Sequence, residues 1–248
     1  MRFLGLVLFL GCSTIPPAPC KPGDALVNAT LWTQTAAEYR ASALQTYAAA
    51  RTALDAGLSA PSTLPPAIIL DLDETALDNT GYAARSIRRN TTFEFDTNWS
   101  AWVKEAASRA VPGTKDFLTY AHSRGVAIFY ITNRTADMAA DTRRNLESHG
   151  FPVTEDGLLM RTTTTTNKST RRDSVTARYN VILYLGDDLG DFTDTSGKSV
   201  AERNAIAASN AGAWGTRWFV VANPMYGAWE GAGTVCEQLR SKVDALRD

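Results

Sequence analysis

The chain has 248 residues, with 25 Lys plus Arg against 26 Asp plus Glu, a formal net charge of −1, and 44% apolar and 21% charged residues. That is a globular composition, long enough for one α/β domain with an insertion or for two modest domains, and its balance makes no electrostatic case for a nucleic-acid polymer as partner. With two histidines and three cysteines, histidine-rich metal clusters, zinc sites and disulfide scaffolds are disfavoured, and the chemistry falls to carboxylates, hydroxyls and lysine.

The amino terminus reads as an address. Met1-Arg2 precedes an apolar run, Phe3 to Leu10, broken only by Gly5, and then Gly11-Cys12-Ser13. A positive start, a short apolar stretch and a small residue make a secretory signal, far below the roughly 20 apolar residues of a membrane span. Cys12 directly after Gly11 predicts a bacterial lipoprotein, acylated at Cys12 and held at a membrane by that anchor. The expected organisation is therefore a signal over 1–11, a tether over 12–25 rich in proline (Pro16, Pro17, Pro19, Pro22), and a folded domain over 26–248. Such a protein belongs to the cell envelope, as a periplasm-facing or outer-membrane lipoprotein. Cys20 and Cys236 remain as a pair whose bonding is open.

From Leu26 to Leu58, Trp32, Ala36, Tyr39, Ala43, Tyr47, Ala50 and Leu54 recur at three- and four-residue steps. This spacing predicts one long amphipathic helix with the aromatic stripe in the core, closed by Pro61, Pro65 and Pro66. Four apolar runs follow: Ala67–Leu70, Val126–Ile131, Val181–Leu185 and Trp218–Val221. Near-continuous Val/Ile/Leu strands alternating with helical stretches over 114–124 and 136–149 predict a parallel sheet with helices on both faces. In such a sheet ligands bind beyond the carboxyl ends of the strands, where the acidic and hydroxyl residues of this chain cluster. His122 and His149 fall on helices, away from those ends. Residues 77–112 are rich in aromatics (Tyr82, Phe93, Phe95, Trp99, Trp102) and too long for a crossover, which predicts a cap inserted over the strand ends. Thr162–Thr166 reads as a solvated loop.

Asp71-Leu72-Asp73-Glu74-Thr75 is the central motif. Two carboxylates two residues apart, as a strand ends, project towards one site because strand side chains alternate with period two. Like charges so close resist joint ionisation without a cation or a shared proton. Asp187 and Asp191, bracketing a glycine-containing turn after another strand, add to the same demand. A hard cation such as Mg²⁺ meets it with a few carboxylates and retained waters. Asp71 or Asp187 alone could simply cap a helix, but two acidic turns together with Thr132 and Lys168 argue against that reading.

Asp71-Leu72-Asp73-Glu74-Thr75, Ile131-Thr132-Asn133-Arg134, Lys168-Ser169 and Gly186-Asp187-Asp188-Leu189-Gly190-Asp191-Phe192 resemble, in order, the four motifs of haloacid dehalogenase-type phosphohydrolases. More narrowly, the chain is similar to the bacterial class C acid phosphatases, the lipoprotein 5′-nucleotidase family. Gln34–Tyr39, Leu77-Asp78-Asn79, Ser108–Gly113 and Tyr226–Gly231 support it, as does the lipoprotein-like start. The chain departs from the pattern at Asp188, where asparagine is common, at Gly190, often acidic, and in the longer threonine loop before Lys168.

The resemblance implies a haloacid dehalogenase-like, Rossmann-like α/β fold with a cap insertion and an N-terminal helical extension. It implies an acid phosphatase acting on small phosphomonoesters, 5′-nucleotides and aryl phosphates among them. Asp71 would be the nucleophile and Asp73 the general acid and base. Mg²⁺ would be held by Asp71, the Asp73 backbone carbonyl and Asp187, with Asp191 steadying its waters. Thr132 and Asn133 would donate to phosphoryl oxygens, Lys168 would neutralise charge, and Tyr82, Trp99 and Tyr226 would clamp a flat leaving group. Phosphotransfer to an alcohol acceptor and a non-catalytic binding protein on the same fold are the alternatives, and a homo-oligomer is open.

Overall fold

The computed structural model describes residues 25–162 and 165–230. The signal, most of the tether, Cys12, Cys20, Cys236 and part of the threonine run lie outside those residues. Among the described residues, no helix is long and apolar enough to cross a membrane.

The core is a five-stranded parallel sheet in the order β5-β4-β1-β6-β7. Its strands are β1 (Pro66–Leu70), β4 (Ala127–Thr135), β5 (Leu158–Arg161), β6 (Asn180–Gly186) and β7 (Trp218–Val220). The central strand β1 shows why both faces are covered. Ile68 and Leu70 enter one core, with Tyr47, Leu54, Phe117 and Leu118, while Ala67 and Ile69 enter the other, with Phe129, Val175 and Phe192. Period-two alternation thus buries every residue of the run, and that is the reason its sequence is continuously apolar. The helices are α2 (Ala37–Leu58) and α5 (Thr114–Ser123) on the first face, and α7 (Ser169–Thr176) on the second. Helix α6 (Ala139–Ser148) follows β4, and α8 (Val200–Ser209) precedes β7.

Two expectations change. The long helix over Leu26–Leu58 is two helices, α1 (Val27–Thr35) and α2, because Ala36 is extended at φ −72°, ψ 127°. The break turns α1 aside onto the inserted segment, where the Gln34 side-chain amide donates to the Thr80 carbonyl at 3.1 Å. The stripe behind it packs as expected, with Tyr39, Ala43, Tyr47, Ala50 and Leu54 buried. Gly57 admits the side chain of Ile182, which a Cβ would meet at 2.2 Å, so α2 sits directly on β6. Second, β5 has no counterpart among the four predicted strands. Leu158-Leu159-Met160-Arg161 carries no β-branched residue and lies at the sheet edge, with only Met160 buried, so its sequence lacks the signal of a two-faced strand.

Between β1 and α5, the short strands β2 (Leu77–Asp78) and β3 (Arg109–Ala110) pair antiparallel, Leu77 with Ala110 and Asp78 with Arg109. They bring the two ends of residues 77–112 together. Inside that segment lie α3 (Thr80–Arg89), a π-helical turn over Phe95–Trp99, and α4 (Ser100–Glu105). Trp99, Trp102 and Val103 form a third core with Met138 and Met160, which fastens the segment to the β4 and β5 side of the sheet.

Candidate active site

The site begins where β1 ends. Asp71 closes the sheet register by donating its backbone N–H to the Leu185 carbonyl at 3.0 Å. The chain then coils tightly: the Leu72 carbonyl accepts from the N–H groups of Thr75, Ala76 and Leu77. Asp71 and Asp73 both face the same cleft. Glu74 takes the left-handed conformation at φ 62° and turns away, burying its carboxylate. That conformation costs about 1–2 kcal/mol for a residue with a Cβ. Glu74 offsets it by accepting from the Asn79 N–H at 2.9 Å, from the Asn79 side chain at 3.4 Å and from the Tyr226 hydroxyl.

Carboxylate oxygens of Asp71, Asp187 and Asp191 lie within 4.8 Å of one another. Lys168 reaches into the group, donating to Asp71 Oδ1 and, at 2.6 Å, to Asp191 Oδ1. The other Asp191 oxygen accepts from the backbone N–H groups of Asp187 and Asp188 at 3.1 and 3.0 Å, which fixes the turn after β6. Gly186 makes this possible, since a Cβ there would lie 2.3 Å from the Asp191 side chain. Asp187 accepts from Thr75 Oγ1 at 3.0 Å and from Asn223 Nδ2 at 2.8 Å.

Burial drives the protonation equilibria of this group. It pushes the Asp71 carboxyl up to about 7, opposed by Lys168 and reinforced by Asp191 and Asp73. Asp187 is raised well above the usual carboxylate range by burial and then by Asp71 and Asp191. Burial alone would discharge the Lys168 ammonium, but Asp191 and Asp71 overcome it and hold Lys168 above the ordinary lysine range. One ammonium against three carboxylates leaves an all-oxygen donor set with uncompensated negative charge, which suits a hard divalent cation.

Asp73 stands apart from that trio. Its Oδ1 accepts from Arg134 Nη2 at 2.7 Å, from Arg134 Nε at 3.1 Å and from Asn79 Nδ2 at 2.8 Å. Asn79 is itself oriented, since its Oδ1 accepts from Trp102 Nε1 at 2.9 Å and Ser108 Oγ at 2.6 Å. Arg134 is 1% exposed and also donates to Thr142 Oγ1 at 3.2 Å.

At the end of β4, Asn133 lines the cleft, while Thr132 is fully buried beneath it and its hydroxyl accepts from the Arg134 N–H at 3.1 Å. Arg171 of α7 donates to the Thr132 carbonyl, to Asn133 Oδ1 at 2.8 Å and to the Asn167 carbonyl at 3.2 Å.

The cleft encloses about 1070 Å³. Tyr82, Phe93, Phe95, Trp99 and Tyr226 line it with the acidic group. Tyr82 and Trp99 meet edge-to-face, with ring centroids 5.1 Å apart, and the Tyr82 hydroxyl donates to Asn98 Oδ1 at 2.7 Å. Between the neighbouring tryptophans the structure discriminates clearly: Trp99 reaches the cleft, whereas Trp102 lies below it on Asn79. Thus Asp71, Asp73, Lys168, Asp187, Asp191, Asn133, Tyr82, Trp99 and Tyr226 converge on one cleft, and Thr132 abuts it from beneath. Sequence reasoning assigned no role to Glu74, Asn79, Arg134, Arg171 or Asn223. Glu74, Asn79 and Arg134 lie inside the sequence motifs, but the partners that give them meaning come together only in the fold.

A sequence model of the HAD superfamily, subfamily IIIB (acid phosphatase), matches residues 13–229. The class C acid phosphatase from Bacillus anthracis is 36% identical and superposes with a TM-score of 0.87, over 92% of this chain and 99% of that one. The same Bacillus anthracis enzyme with tungstate bound matches to the same extent, at 36% identity and a TM-score of 0.87. With an acidic cleft at the carboxyl ends of a parallel sheet and this likeness along nearly its whole described length, the chain belongs to the HAD superfamily acid phosphatases of subfamily IIIB and is a phosphomonoesterase.

Proposed function

We propose that the protein is a Mg²⁺-dependent acid phosphatase that hydrolyses 5′-nucleotides and aryl phosphates through an aspartyl-phosphate intermediate. The observation that carries the reading is the placement of Asp71. It ends the central strand, faces the cleft, and is met by Lys168 beside Asp187 and Asp191.

In this reading Asp71 attacks phosphorus in line, and the bond to the leaving oxygen breaks as the acyl-phosphate bond forms. Asp73 gives its proton to the departing alkoxide and then takes one from the water that hydrolyses the intermediate, which regenerates both groups. Lys168 places positive charge beside the phosphoryl oxygens and Asn133 donates a hydrogen bond to them, whereas Thr132, expected to do the same, is buried beneath the cleft and supports the turn by accepting from the Arg134 N–H. Phosphoryl transfer needs positioning and charge stabilisation above all, so this small set suffices. Asp71, Asp187 and the Asp73 carbonyl would hold Mg²⁺, with Asp191 steadying its waters, and the ion would supply charge neutralisation at the phosphoryl group. The all-oxygen donor set, with Asp71 and Asp191 buried and Asp187 half-buried, supports that assignment. Tungstate in the Bacillus anthracis enzyme is a tetrahedral oxyanion like phosphate, which supports an oxyanion subsite here.

Residues 77–112 would serve as the cap, with Tyr82, Trp99 and Tyr226 clamping the nucleobase or aryl group. Acylation of Cys12 would hold the enzyme at the bacterial envelope, facing nucleotides that do not cross membranes themselves.

Replacing Asp71 with Asn removes the nucleophile, so phosphate release from AMP and p-nitrophenyl phosphate should vanish while the circular dichroism spectrum is retained. Substantial turnover by that variant would overturn the nucleophile. Chelating divalent metal should stop the wild-type reaction, and Mg²⁺ should restore it; a rate indifferent to chelator would refute the metal requirement.

A further inference from the structure

We infer that Arg171 is a positioning residue for phosphoryl recognition, one that sets the side-chain amide of Asn133 so that its NH₂ faces the cleft. The inference rests on the reading of Asn133 as a phosphoryl contact and adds the residue that orients it. A guanidinium only donates hydrogen bonds, and a side-chain amide accepts only at its oxygen. Arg171 Nη2 lies 2.8 Å from Asn133 Oδ1, so that oxygen is committed towards α7. The amide nitrogen is then directed away from α7. Asn133 lines the cleft together with Asp71 and Lys168, and its Nδ2 makes no hydrogen bond among the described residues. Without Arg171 the amide is free to flip, and its oxygen would face an anion.

The same guanidinium holds the neighbouring chain. Its Nη1 donates to the Thr132 carbonyl, which fixes the backbone on which Asn133 stands. Its Nη2 also donates to the Asn167 carbonyl at 3.2 Å, immediately before Lys168. Asn167 is anchored in turn: its Oδ1 accepts from the Ser169 N–H at 2.6 Å, and its Nδ2 donates to Asp194 and Ser196 at 2.8 and 2.9 Å. Arg171 therefore joins the end of β4 to the start of α7, and keeps Asn133 and Lys168 at a fixed separation across the cleft. A lysine in its place would keep the charge but could not span three acceptors held in different directions.

A double-mutant cycle reads this directly. Inhibition by inorganic phosphate and by tungstate is measured for the full chain, for Arg171→Met, for Asn133→Ala and for the two together, with thermal unfolding followed on each. Each single variant should weaken both oxyanions by roughly tenfold or more, the worth of one hydrogen bond to a charged acceptor. On the Asn133→Ala background, Arg171→Met should change inhibition by no more than about twofold, because the amide it orients is gone. Multiplicative losses in the double variant would overturn the positioning role while leaving the Asn133 contact intact. Unchanged inhibition in Asn133→Ala alone would overturn the contact itself, and the inference with it. Should Arg171→Met unfold, Arg171→Lys carries the same cycle, and full oxyanion affinity in that variant would count against the amide-orienting role.

Discussion

Arg134 ends on Asp73 with almost no access to water, and the pairing decides how that carboxyl can act. Three donors converge on Oδ1, two from Arg134 and one from Asn79, whereas Oδ2 accepts only a longer bond from Arg134 Nε at 3.2 Å. A side chain held so firmly at one oxygen presents the other to the cleft. If Asp73 protonates the leaving group, loosening it should hurt most where the leaving group most needs the proton. Arg134→Met is therefore expected to lower kcat/KM by roughly tenfold to hundredfold for alkyl phosphates, part of the roughly 10²–10⁴ that a general acid contributes, and by much less for p-nitrophenyl phosphate. Steady-state rates across phosphomonoesters of graded leaving-group acidity would show it, and a uniform loss along the series would contradict it. This is also where legibility ran out in the sequence. The acidic motifs were readable because strand period and spacing place their carboxylates, but Arg134 and Arg171 find their partners 61 and 38 residues away. No local pattern marks an arginine as the neighbour of a distant aspartate or asparagine.

At the scale of elements, the central strands β1, β4 and β6 were legible because a run covered on both faces must be apolar throughout, and the edge strand β7 because its short run Trp218–Val220 is apolar as well, although Val220 is exposed. The edge strand β5 was not, since half-buried leucines and a methionine serve a helix equally well. The break at Ala36 left no trace either: alanine is a good helix former, and the interruption comes from tertiary contact of α1 with α3. Residues 77–112 are long and rich in aromatics, and the fold separates their tryptophans. Trp102 is spent on Asn79, and Trp99 is left beside Tyr82. Tyr226 approaches from the far end of the chain and has two separable features, a ring that lines the cleft and a hydroxyl on Glu74. Tyr226→Ala removes both, and KM for 5′-nucleotides should rise by the equivalent of roughly 1–3 kcal/mol of stacking, with little change for small aliphatic phosphates. Tyr226→Phe keeps the ring and should keep the nucleotide KM close to the parent. Equal effects of the alanine variant on both substrate classes would count against stacking.

For the molecule as a whole, the buried acids make stability a function of pH and metal. Glu74 is raised from the ordinary glutamate value to about 8, chiefly by burial and then by Asp73, with the bonds from Tyr226 and Asn79 opposing. Asp71 and Asp187 are raised in the same direction. An acid whose folded-state value lies above its unfolded value binds more protons in the folded chain. Its stabilising contribution is then fully present below the unfolded value, near 4.5 for Glu74, and is lost as pH rises through about 8. The metal-free protein should therefore melt at progressively lower temperature as pH is raised across that interval, the reverse of a protein whose carboxylates are ion-paired. Glu74→Gln removes the titrating group but keeps only one acceptor oxygen for the donors of Asn79 and Tyr226 that the two carboxylate oxygens serve, so it should lower Tm at acid pH while the slope of Tm against pH flattens. Added Mg²⁺ acts on the other part of the slope, since a cation bound only by the folded state stabilises it in proportion to RT ln(1 + [Mg²⁺]/Kd). It should lift Tm most near neutral pH and above, where Asp71 and Asp187 must otherwise carry their charges together, and least in acid, where protons already neutralise them. Differential scanning calorimetry of both proteins from about pH 4.5 to 8, with chelator and with Mg²⁺, tests the two contributions separately. A Glu74→Gln slope identical to the parent's would remove Glu74 from the account, and a metal effect independent of pH would remove the acidic trio.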